Sequence, residues 1–316
     1  MFSPVIVLSN GVEMPQVGLG TWQSKDNDVK IATKEAIKAG YRLIDTAERY
    51  QNEHVIGEAI KECIKEGIIK REELFITTKY FPSHENVLED MKPALRESLR
   101  KLGTDYVDLY LIHNPCAVST DWKTPQNVTV EEMWTTFEHL YNKKLARSIG
   151  VSNFSIEQIE RVMKIATVPI HNQQVELSIF WPQHELQEVC KKYNISLTSY
   201  GTLGSPGRRE YTTPNGQKPF NDDFPNQLED KNVLTLAKKH NKKPAQVLLR
   251  YAMDRGIAVI PKSVNAKRVK ENFDLFDFSL NKDEITLLES SGHHFATFLI
   301  PFWTDHPEDP FKKLRH

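Results

Sequence analysis

The stretch of sequence that decides the fold is Gly40-Tyr-Arg-Leu-Ile-Asp45-Thr-Ala-Glu-Arg-Tyr50. Its first half has apolar, β-branched and aromatic members, and this composition predicts a buried strand that ends at Asp45. Its second half is a polar loop that carries Tyr50. Two further strand-like runs, 74–79 and 106–113, end in Lys79 and His113. A single ionisable residue at a strand end is usually just solvated. Four of them at the same ends of successive strands, namely Asp45, Tyr50, Lys79 and His113, predict an acid–base site.

The composition is that of an ordinary soluble enzyme. The chain has 316 residues, of which 39% are hydrophobic and 26% are charged. Because α/β barrels commonly reach this length as one domain, we expect a single domain over 1–316. Lys and Arg number 41 against 42 Asp and Glu, which leaves a net charge of −1. This balance does not favour a nucleic-acid or membrane-surface partner.

Cysteine usage and the N-terminus indicate the compartment. The three cysteines, Cys63, Cys116 and Cys190, are far apart and lack the spacing of metal ligands. An odd, scattered set is typical of reduced thiols in a cytosolic protein. The first residues are too short and interrupted for a secretory signal, and no apolar run has the length of a membrane span. We therefore expect a cytoplasmic protein without a metal site.

Short apolar strands, polar loops and amphipathic helices alternate eight times along the chain. The predicted strands lie near 16–20, 41–45, 74–79, 106–112, 146–150, 170–175, 195–199 and 257–260. The predicted helices lie near 28–39, 53–66, 87–102, 130–142, 156–166, 184–192, 229–240 with 244–254, and 266–274. Before them, Asn10-Gly11 between two apolar runs is typical of a β-hairpin with a type I′ turn.

Eight such units predict a parallel sheet closed into a (β/α)8 TIM barrel, with the N-terminal β-hairpin as a plug in its floor. The active site of this fold lies at the carboxyl ends of the strands, where Asp45, Lys79 and His113 fall. The segments 114–129, 201–228 and 291–316 do not fit the alternation and are predicted to be long loops. The last is rich in aromatic residues, so we expect it to fold over the barrel mouth.

Three segments resemble the signature motifs of the aldo-keto reductases, in the aldose reductase and aldehyde reductase branch. Residues 40–47, with Glu53 and Ile56-Gly57 after them, resemble the first signature, 147–154 the second and 260–272 the third. The motifs are spread from the second strand to the last helix of the barrel, so the resemblance covers essentially the whole chain. It implies reduction of aldehydes and ketones by NADPH.

The chemistry of this reaction suits the four ionisable residues. Carbonyl reduction needs a hydride and a proton for the oxygen, and a tyrosine beside an ammonium is a better acid than a free one. We assign Tyr50 as the general acid, Lys79 as the cation that lowers its pKa, and Asp45 as the group that holds Lys79. His113 would orient the carbonyl oxygen. All four match the family tetrad residue by residue.

A Gly-x-Gly-x-x-Gly loop is missing, since Gly18-Leu19-Gly20 is followed by Gln23 at the third position. The resemblance implies instead an extended NADPH across the barrel rim. Ser152, Asn153 and Gln174 match its carboxamide site and Tyr200 the residue that stacks on the nicotinamide. The other implied contacts nearby are Gly20, Thr21, Trp22, Asp45 and the pyrophosphate loop with Gly201, Leu203 and Ser205.

Residues after the eighth strand match the adenosine end of the cofactor site. Lys262, Ser263 and Arg268 correspond to the 2′-phosphate site, Val264 and Asn265 lie between them, and Glu271 and Asn272 match adenine contacts. Two cations near a helix N-terminus suit a dianion, which favours NADPH over NADH. The alternative is a solvated basic helix face, because Lys267 and Lys270 lie alongside.

Several positions depart from the aldose reductase pattern near the substrate. Asn114 and Phe81 stand where that branch has tryptophan, the 114–129 loop is shorter, and Gly201-Thr202 replaces Ser-Pro. We expect one side of the cleft to be open and the loop after Tyr200 to be looser. The candidate substrate-binding residues are Trp22, Tyr50, Phe81, His113, Asn114, Trp122, Phe302 and Trp303. Trp122 is equally compatible with an exposed surface position.

The sequence therefore predicts a monomeric, cytoplasmic, NADPH-dependent carbonyl reductase. One alternative is a ketosteroid or ecdysteroid reductase, because an open cleft suits a long rigid ligand. The other is a barrel that binds NADPH without turnover, as a crystallin or channel subunit would. The intact tetrad favours an enzyme, since a binding role does not require Tyr50 and Lys79.

Overall fold

The computed structural model describes residues 3–122, 124–213, 216, 218–220, 224–300 and 303–314. Its strands are β1 Val5–Val7, β2 Glu13–Pro15, β3 Leu19–Gly20, β4 Leu43–Asp45, β5 Phe75–Tyr80, β6 Val107–Ile112, β7 Ala146–Ser152, β8 Asn172–Glu176, β9 Ser196–Tyr200 and β10 Ala258–Val259. Its α-helices are α1 Asp26–Ala39, α2 Glu53–Lys65, α3 Val87–Leu102, α4 Val130–Asn142, α5 Ile156–Ile165, α6 His184–Lys192, α7 Lys231–His240, α8 Pro244–Asp254, α9 Ala266–Phe273 and α10 Lys282–Glu289.

The eight strands β3 to β10 form one parallel sheet in sequence order. The sheet closes where Val17 bridges Val259 and Gly20 bridges Lys262, both in parallel. A Cβ on Gly20 would lie 2.4 Å from the carbonyl oxygen of Ile260, so only glycine allows this approach at the seam. The predicted (β/α)8 barrel is confirmed.

The hairpin β1–β2 plugs the amino-terminal end of the barrel, as predicted. Leu8 and Met14 are buried together with Leu43 and Phe75, which open strands β4 and β5. This inner cluster is separate from the larger core between sheet and helices. The hairpin therefore fills the floor and leaves the carboxyl ends of the strands for the site.

The turn of the hairpin is not type I′. That type needs positive φ at two successive residues, but of Asn10 and Gly11 only Gly11 has it, at 81°. The amide of Gly11 donates to the carbonyl of Leu8 at 2.8 Å. The left-handed residue therefore follows the turn, which widens the connection beyond two residues.

The helices lie close to their predicted ranges and bury the apolar faces that the sequence indicates. On α3 the residues Val87, Met91, Leu95 and Leu99 are all buried. Differences occur near the C-terminus: α7 starts two residues later than expected, after a 3-10 turn at Gln227–Glu229. Helix α10 was not predicted, because its eight residues are too few to show a repeated apolar period, although Ile285 and Leu288 both pack toward the core.

The predicted loops follow β6, β9 and α10. The C-terminal segment crosses the barrel mouth, as expected: the Glu176 carboxylate, at the end of β8, accepts hydrogen bonds from the amides of Thr297 and Phe298 at 2.8 and 2.9 Å. Farther along, the Glu308 carboxylate binds the guanidinium of Arg161 at 2.8 Å. These contacts place the segment above the strand ends.

Two further features concern only the residues that the structure describes. Among these residues, none of the helices combines the length and the apolarity that a membrane span requires. The same residues contain no group of three or more His, Cys, Asp or Glu arranged to hold a metal ion.

Replacement of Gly57 by alanine should destabilise the fold. A Cβ there would lie 2.3 Å from the carbonyl oxygen of Lys101, at the end of α3. Overpacking of this kind costs about 1–3 kcal/mol, which exceeds the gain of about 1 kcal/mol from helix propensity. Urea denaturation should show a lower midpoint for Gly57→Ala. The exposed neighbour Glu58→Ala is the control and should change stability by less than about 0.5 kcal/mol; a stabilised Gly57→Ala would contradict the α2–α3 contact.

Candidate active site

Three successive strands bring the predicted acid–base residues to one edge of the barrel. Asp45 is the last residue of β4, Lys79 is the next-to-last residue of β5, and His113 directly follows β6. Tyr50 closes the 3-10 turn Glu48–Tyr50 that leaves β4. The parallel register places their side chains around one opening, as the sequence predicted.

The four side chains form a connected group. The Nζ atom of Lys79 donates to Oδ1 of Asp45 at 2.6 Å and lies 3.3 Å from the hydroxyl oxygen of Tyr50. Nζ also donates to the carbonyl oxygen of Thr46 at 2.9 Å. The rings of Tyr50 and His113 meet edge to face with centroids 5.7 Å apart. Tyrosine and histidine can therefore act on one atom between them.

The ion pair of Lys79 and Asp45 is buried, with 0% and 4% of the side-chain surface exposed. The second carboxylate oxygen of Asp45 accepts from the amide of Gln174 at 2.8 Å. Burial lowers the pKa of Lys79, and the charge of Asp45 opposes this shift. Protein groups, and not solvent, thus supply the hydrogen bonds of this ion pair.

The pKa of Tyr50 differs from the sequence expectation. Burial raises it well above its ordinary value, and the negative charge of Asp45 raises it further. The expected lowering by Lys79 is offset because the ammonium is paired with that carboxylate at 2.6 Å. Tyr50 is consequently protonated near neutral pH.

His113 is neutral in this environment. Burial lowers its pKa well below the ordinary value, and the nearby cations Lys79 and Arg49 lower it further. Its Nδ1 atom is buried and has no hydrogen-bond partner among the described residues. A neutral imidazole can donate one hydrogen bond to a bound oxygen without adding charge.

The tetrad opens into a cleft of about 650 Å³ along the carboxyl ends of the strands. Most of the predicted cofactor and substrate residues line this cleft: Gly20, Thr21, Trp22, Asp45, Tyr50, Phe81, His113, Trp122, Ser152, Asn153, Gln174, Tyr200, Gly201, Leu203, Ser205, Lys262, Ser263, Val264, Arg268, Glu271, Asn272 and Trp303. Lys79 does not line it and lies behind Tyr50. One continuous cleft therefore joins the tetrad to the predicted phosphate site.

Beside the tetrad, amide and hydroxyl groups form a polar wall. Asn153 donates to the carbonyl of His113 at 2.9 Å and accepts from the hydroxyl of Tyr200 at 2.7 Å. The hydroxyl of Ser152 donates to the carbonyl of Gln174 at 2.8 Å. Asn153 has φ of 62°, a left-handed conformation that asparagine tolerates. These bonds fix the wall in position while lone pairs remain for a ligand.

At the far end of the cleft, Lys262 and Arg268 lie beside the N-terminus of α9. Burial lowers the pKa of Lys262, and the charge of Arg268 lowers it further. Two cations that repel each other at a helix N-terminus are suited to a shared anion. Asn265 does not line the cleft; its side chain caps α9 by accepting from the amide of Arg268 at 3.1 Å.

A family model described as "Aldo/keto reductase family" matches residues 16–292. This chain belongs to the aldo/keto reductase family. Membership confirms the predicted enzyme class, an oxidoreductase that reduces carbonyl groups. The resemblance of its three motifs and the barrel of its eight strands agree with this assignment.

Relatives of this reductase match it over nearly its whole length. Aldo-keto reductase family 1 member A1 of Gallus gallus is 38% identical, with 97% of each chain covered. The crystal structure of Bombyx mori aldo-keto reductase AKR2E4 in complex with NADP is 37% identical and has a TM-score of 0.88, with 98% of this chain and 99% of that chain covered. The aldose reductase of Schistosoma japonicum is 33% identical, with the same TM-score of 0.88 and the same coverage.

The side of the cleft where the sequence predicts substrate binding has two aromatic walls. On one, Trp22 meets Tyr211, Phe220 and Phe298 at ring-centroid distances of 5.4, 6.3 and 5.8 Å. Tyr211 and Phe220 were not predicted, since they lie in a loop whose path the local sequence does not specify. Phe298 was expected over the mouth, and its ring contacts with Trp22 and Phe220 identify it as part of the wall.

The opposite wall is built on Phe81. Trp122 stacks on Phe81 with centroids 5.0 Å apart and so has a pocket position rather than an exposed one. The side of the cleft that was expected to be open is therefore partly covered. Asn114 is buried outside the cleft lining, where its Oδ1 accepts from the amide of Cys116 at 2.9 Å. Phe302 lies outside the described residues.

The loop after Tyr200 is ordered by a compact turn. The amide of Gly204 donates to the carbonyl of Gly201 at 2.8 Å, and the hydroxyl groups of Ser199 and Thr202 are 2.6 Å apart. Gly201 has φ of 68°. The Gly-Thr pair thus supplies a hydrogen-bonded turn where the family pattern has Ser-Pro.

Replacement of Asp45 by asparagine should destabilise the protein by about 3–5 kcal/mol at pH 7, because it leaves the buried ammonium of Lys79 without its partner. Without Asp45, burial holds the pKa of Lys79 below that of the unfolded chain, so stability should rise with pH. The deficit should shrink between pH 7 and pH 9 in denaturant titrations. Glu97→Gln, which breaks an exposed pair with Arg100, is the control; equal losses would contradict the role of burial.

Proposed function

We propose that this protein reduces aldehydes and ketones to alcohols with NADPH, and that Tyr50 is the general acid. The observation that carries this proposal is the position of the Tyr50 hydroxyl, 3.3 Å from the ammonium of Lys79 on the wall of the cleft. A protonated hydroxyl beside a held cation, next to a neutral imidazole, is a proton donor aimed at one bound oxygen.

The residues of the cleft fit NADPH. The polar wall of Ser152, Asn153 and Gln174 offers donors and acceptors that suit a carboxamide, and the ring of Tyr200 lies beside it. At the other end, Lys262 and Arg268 suit a phosphate dianion. That the related Bombyx mori structure is a complex with NADP supports the same ligand here.

When bound, NADPH supplies the hydride that adds to the carbonyl carbon. Tyr50 donates its proton to the carbonyl oxygen as negative charge develops there. Burial keeps Tyr50 protonated until that moment, and the ammonium of Lys79 stabilises the tyrosinate that results. Asp45 keeps Lys79 charged and aimed. His113 donates a hydrogen bond to the same oxygen and so orients the substrate.

We also propose the finer features that the sequence predicted: a monomer, located in the cytoplasm, with residues 1–316 as one domain. The buried thiols of Cys63, Cys116 and Cys190 support a reducing compartment. No specific observation favours a ketosteroid reductase or a non-catalytic NADPH-binding barrel over a general carbonyl reductase.

Tyr50→Phe should reduce turnover of an aromatic aldehyde by about 10²–10⁴-fold, because it removes the acid. NADPH absorbance measures turnover, and quenching of protein fluorescence by NADPH should show that binding persists. Tyr193→Phe, outside the cleft, is the control. Undiminished turnover in Tyr50→Phe would contradict the acid role. Wild-type binding of NADPH without turnover of aldehydes, quinones or ketosteroids would favour the binding-only barrel.

Arg268→Met should raise the Kd for NADPH by about 10- to 100-fold, the effect of a lost charge-assisted contact. The Kd for NADH should change little, because NADH lacks the 2′-phosphate. Lys267→Met is the matched control: this lysine is exposed on the same helix and does not line the cleft. Equal weakening by both variants, or of both cofactors, would indicate only a solvated basic face.

A further inference from the structure

A cation lines the substrate side of the cleft and has no assigned role. Arg49 directly precedes Tyr50 in the turn that leaves β4, and its side chain is among those that line the cleft. The residue is half-buried. Burial lowers the pKa of its guanidinium, as expected for a charge held away from solvent.

The guanidinium lies on the aromatic wall. Its central carbon is 3.9 Å from the ring centroid of Trp122 and 5.7 Å from that of Phe81. Phe81 in turn meets the ring of His113 with centroids 5.5 Å apart. Arg49 is therefore about one aromatic ring away from the group that orients the carbonyl oxygen.

The backbone at Trp122 supports a specific role for this stack. Trp122 has φ of 64°, which is unfavourable for a bulky residue and is found where surrounding contacts impose it. In this conformation the indole stacks on Phe81 and also contacts the guanidinium of Arg49. The cation–π contact positions Arg49 but does not neutralise its charge.

Arg49 has no ion pair or hydrogen bond with any residue that the structure describes. The charge of the neighbouring Glu48 opposes the lowering of the Arg49 pKa, but its carboxylate forms its hydrogen bonds elsewhere: it accepts from the amide of Phe81 at 2.6 Å and lies 3.2 Å from His84. A half-buried guanidinium normally has a carboxylate partner, because burial of an unpaired charge is costly. A bound ligand that carries a carboxylate would give this guanidinium a hydrogen-bonded partner.

We propose that Arg49 binds a carboxylate on the substrate, so that this reductase prefers aldehydes or ketones that carry a carboxylate one ring-sized spacer from the carbonyl group. This inference rests on the proposed carbonyl reduction and specifies its substrate class. The planar fork of the guanidinium can hold both oxygens of a carboxylate, while Trp122 and Phe81 pack against the spacer.

The test compares 3- and 4-carboxybenzaldehyde with their uncharged methyl esters. In wild type, kcat/KM should favour the acids over the esters. Arg49→Met should lower this acid-to-ester ratio by about 10- to 100-fold, the value of a hydrogen-bonded charge pair. Arg49→Lys should give an intermediate ratio, because lysine keeps the charge but not the fork. Arg96→Met removes an exposed charge from α3 and should leave the ratio unchanged.

A second measurement uses the wild-type protein alone. Added salt should reduce kcat/KM for the acids more than for the esters, because it screens the attraction. An unchanged ratio in Arg49→Met, an equal change in Arg96→Met, or wild-type preference for the esters would overturn the proposal. Turnover of the esters shows that the proposed reductase activity itself holds, whereas no turnover of either form refutes that activity instead.

Discussion

The site depends on the buried ion pair between Lys79 and Asp45. With 0% and 4% of these side chains exposed, each charge needs a complete set of partners. Thr46 and Gln174 supply the remaining hydrogen bonds, and the barrel holds all four groups on different strands or loops. The position of Tyr50 follows from this arrangement, since its hydroxyl oxygen accepts a hydrogen bond from the ammonium of Lys79. The proposed proton donor and the stability of the barrel thus depend on one interaction.

The pair also sets the electrostatics of its neighbours. Because the ammonium is paired, it does not outweigh the burial that raises the pKa of Tyr50, so the proposed acid is protonated near neutral pH. The same cation, together with burial, keeps His113 neutral. Arg49 adds positive charge at the edge of this group. The result is a site that is poised for developing negative charge on a bound oxygen.

The cleft divides into parts of different chemistry. A polar wall of amides lies next to the tetrad, two cations lie near the N-terminus of α9, and aromatic rings enclose the substrate side. This combination suits the proposed reduction of a carbonyl compound by NADPH. The cation of Arg49 within the aromatic side separates this pocket from a purely apolar one.

The sequence by itself determined the barrel and the grouping of Asp45, Tyr50, Lys79 and His113, because both follow from patterns of residues that are close together in the chain. Strand–helix alternation specifies the parallel sheet, and residues at consecutive strand ends must meet at one rim. The turn at Gly11, helix α10 and the aromatic wall around Trp22 were decided only by the tertiary structure. Their conformations depend on contacts between distant segments, such as Trp22 with Tyr211 and Phe298. The raised pKa of Tyr50 has the same origin, since burial and ion pairing are properties of the folded chain and not of any motif.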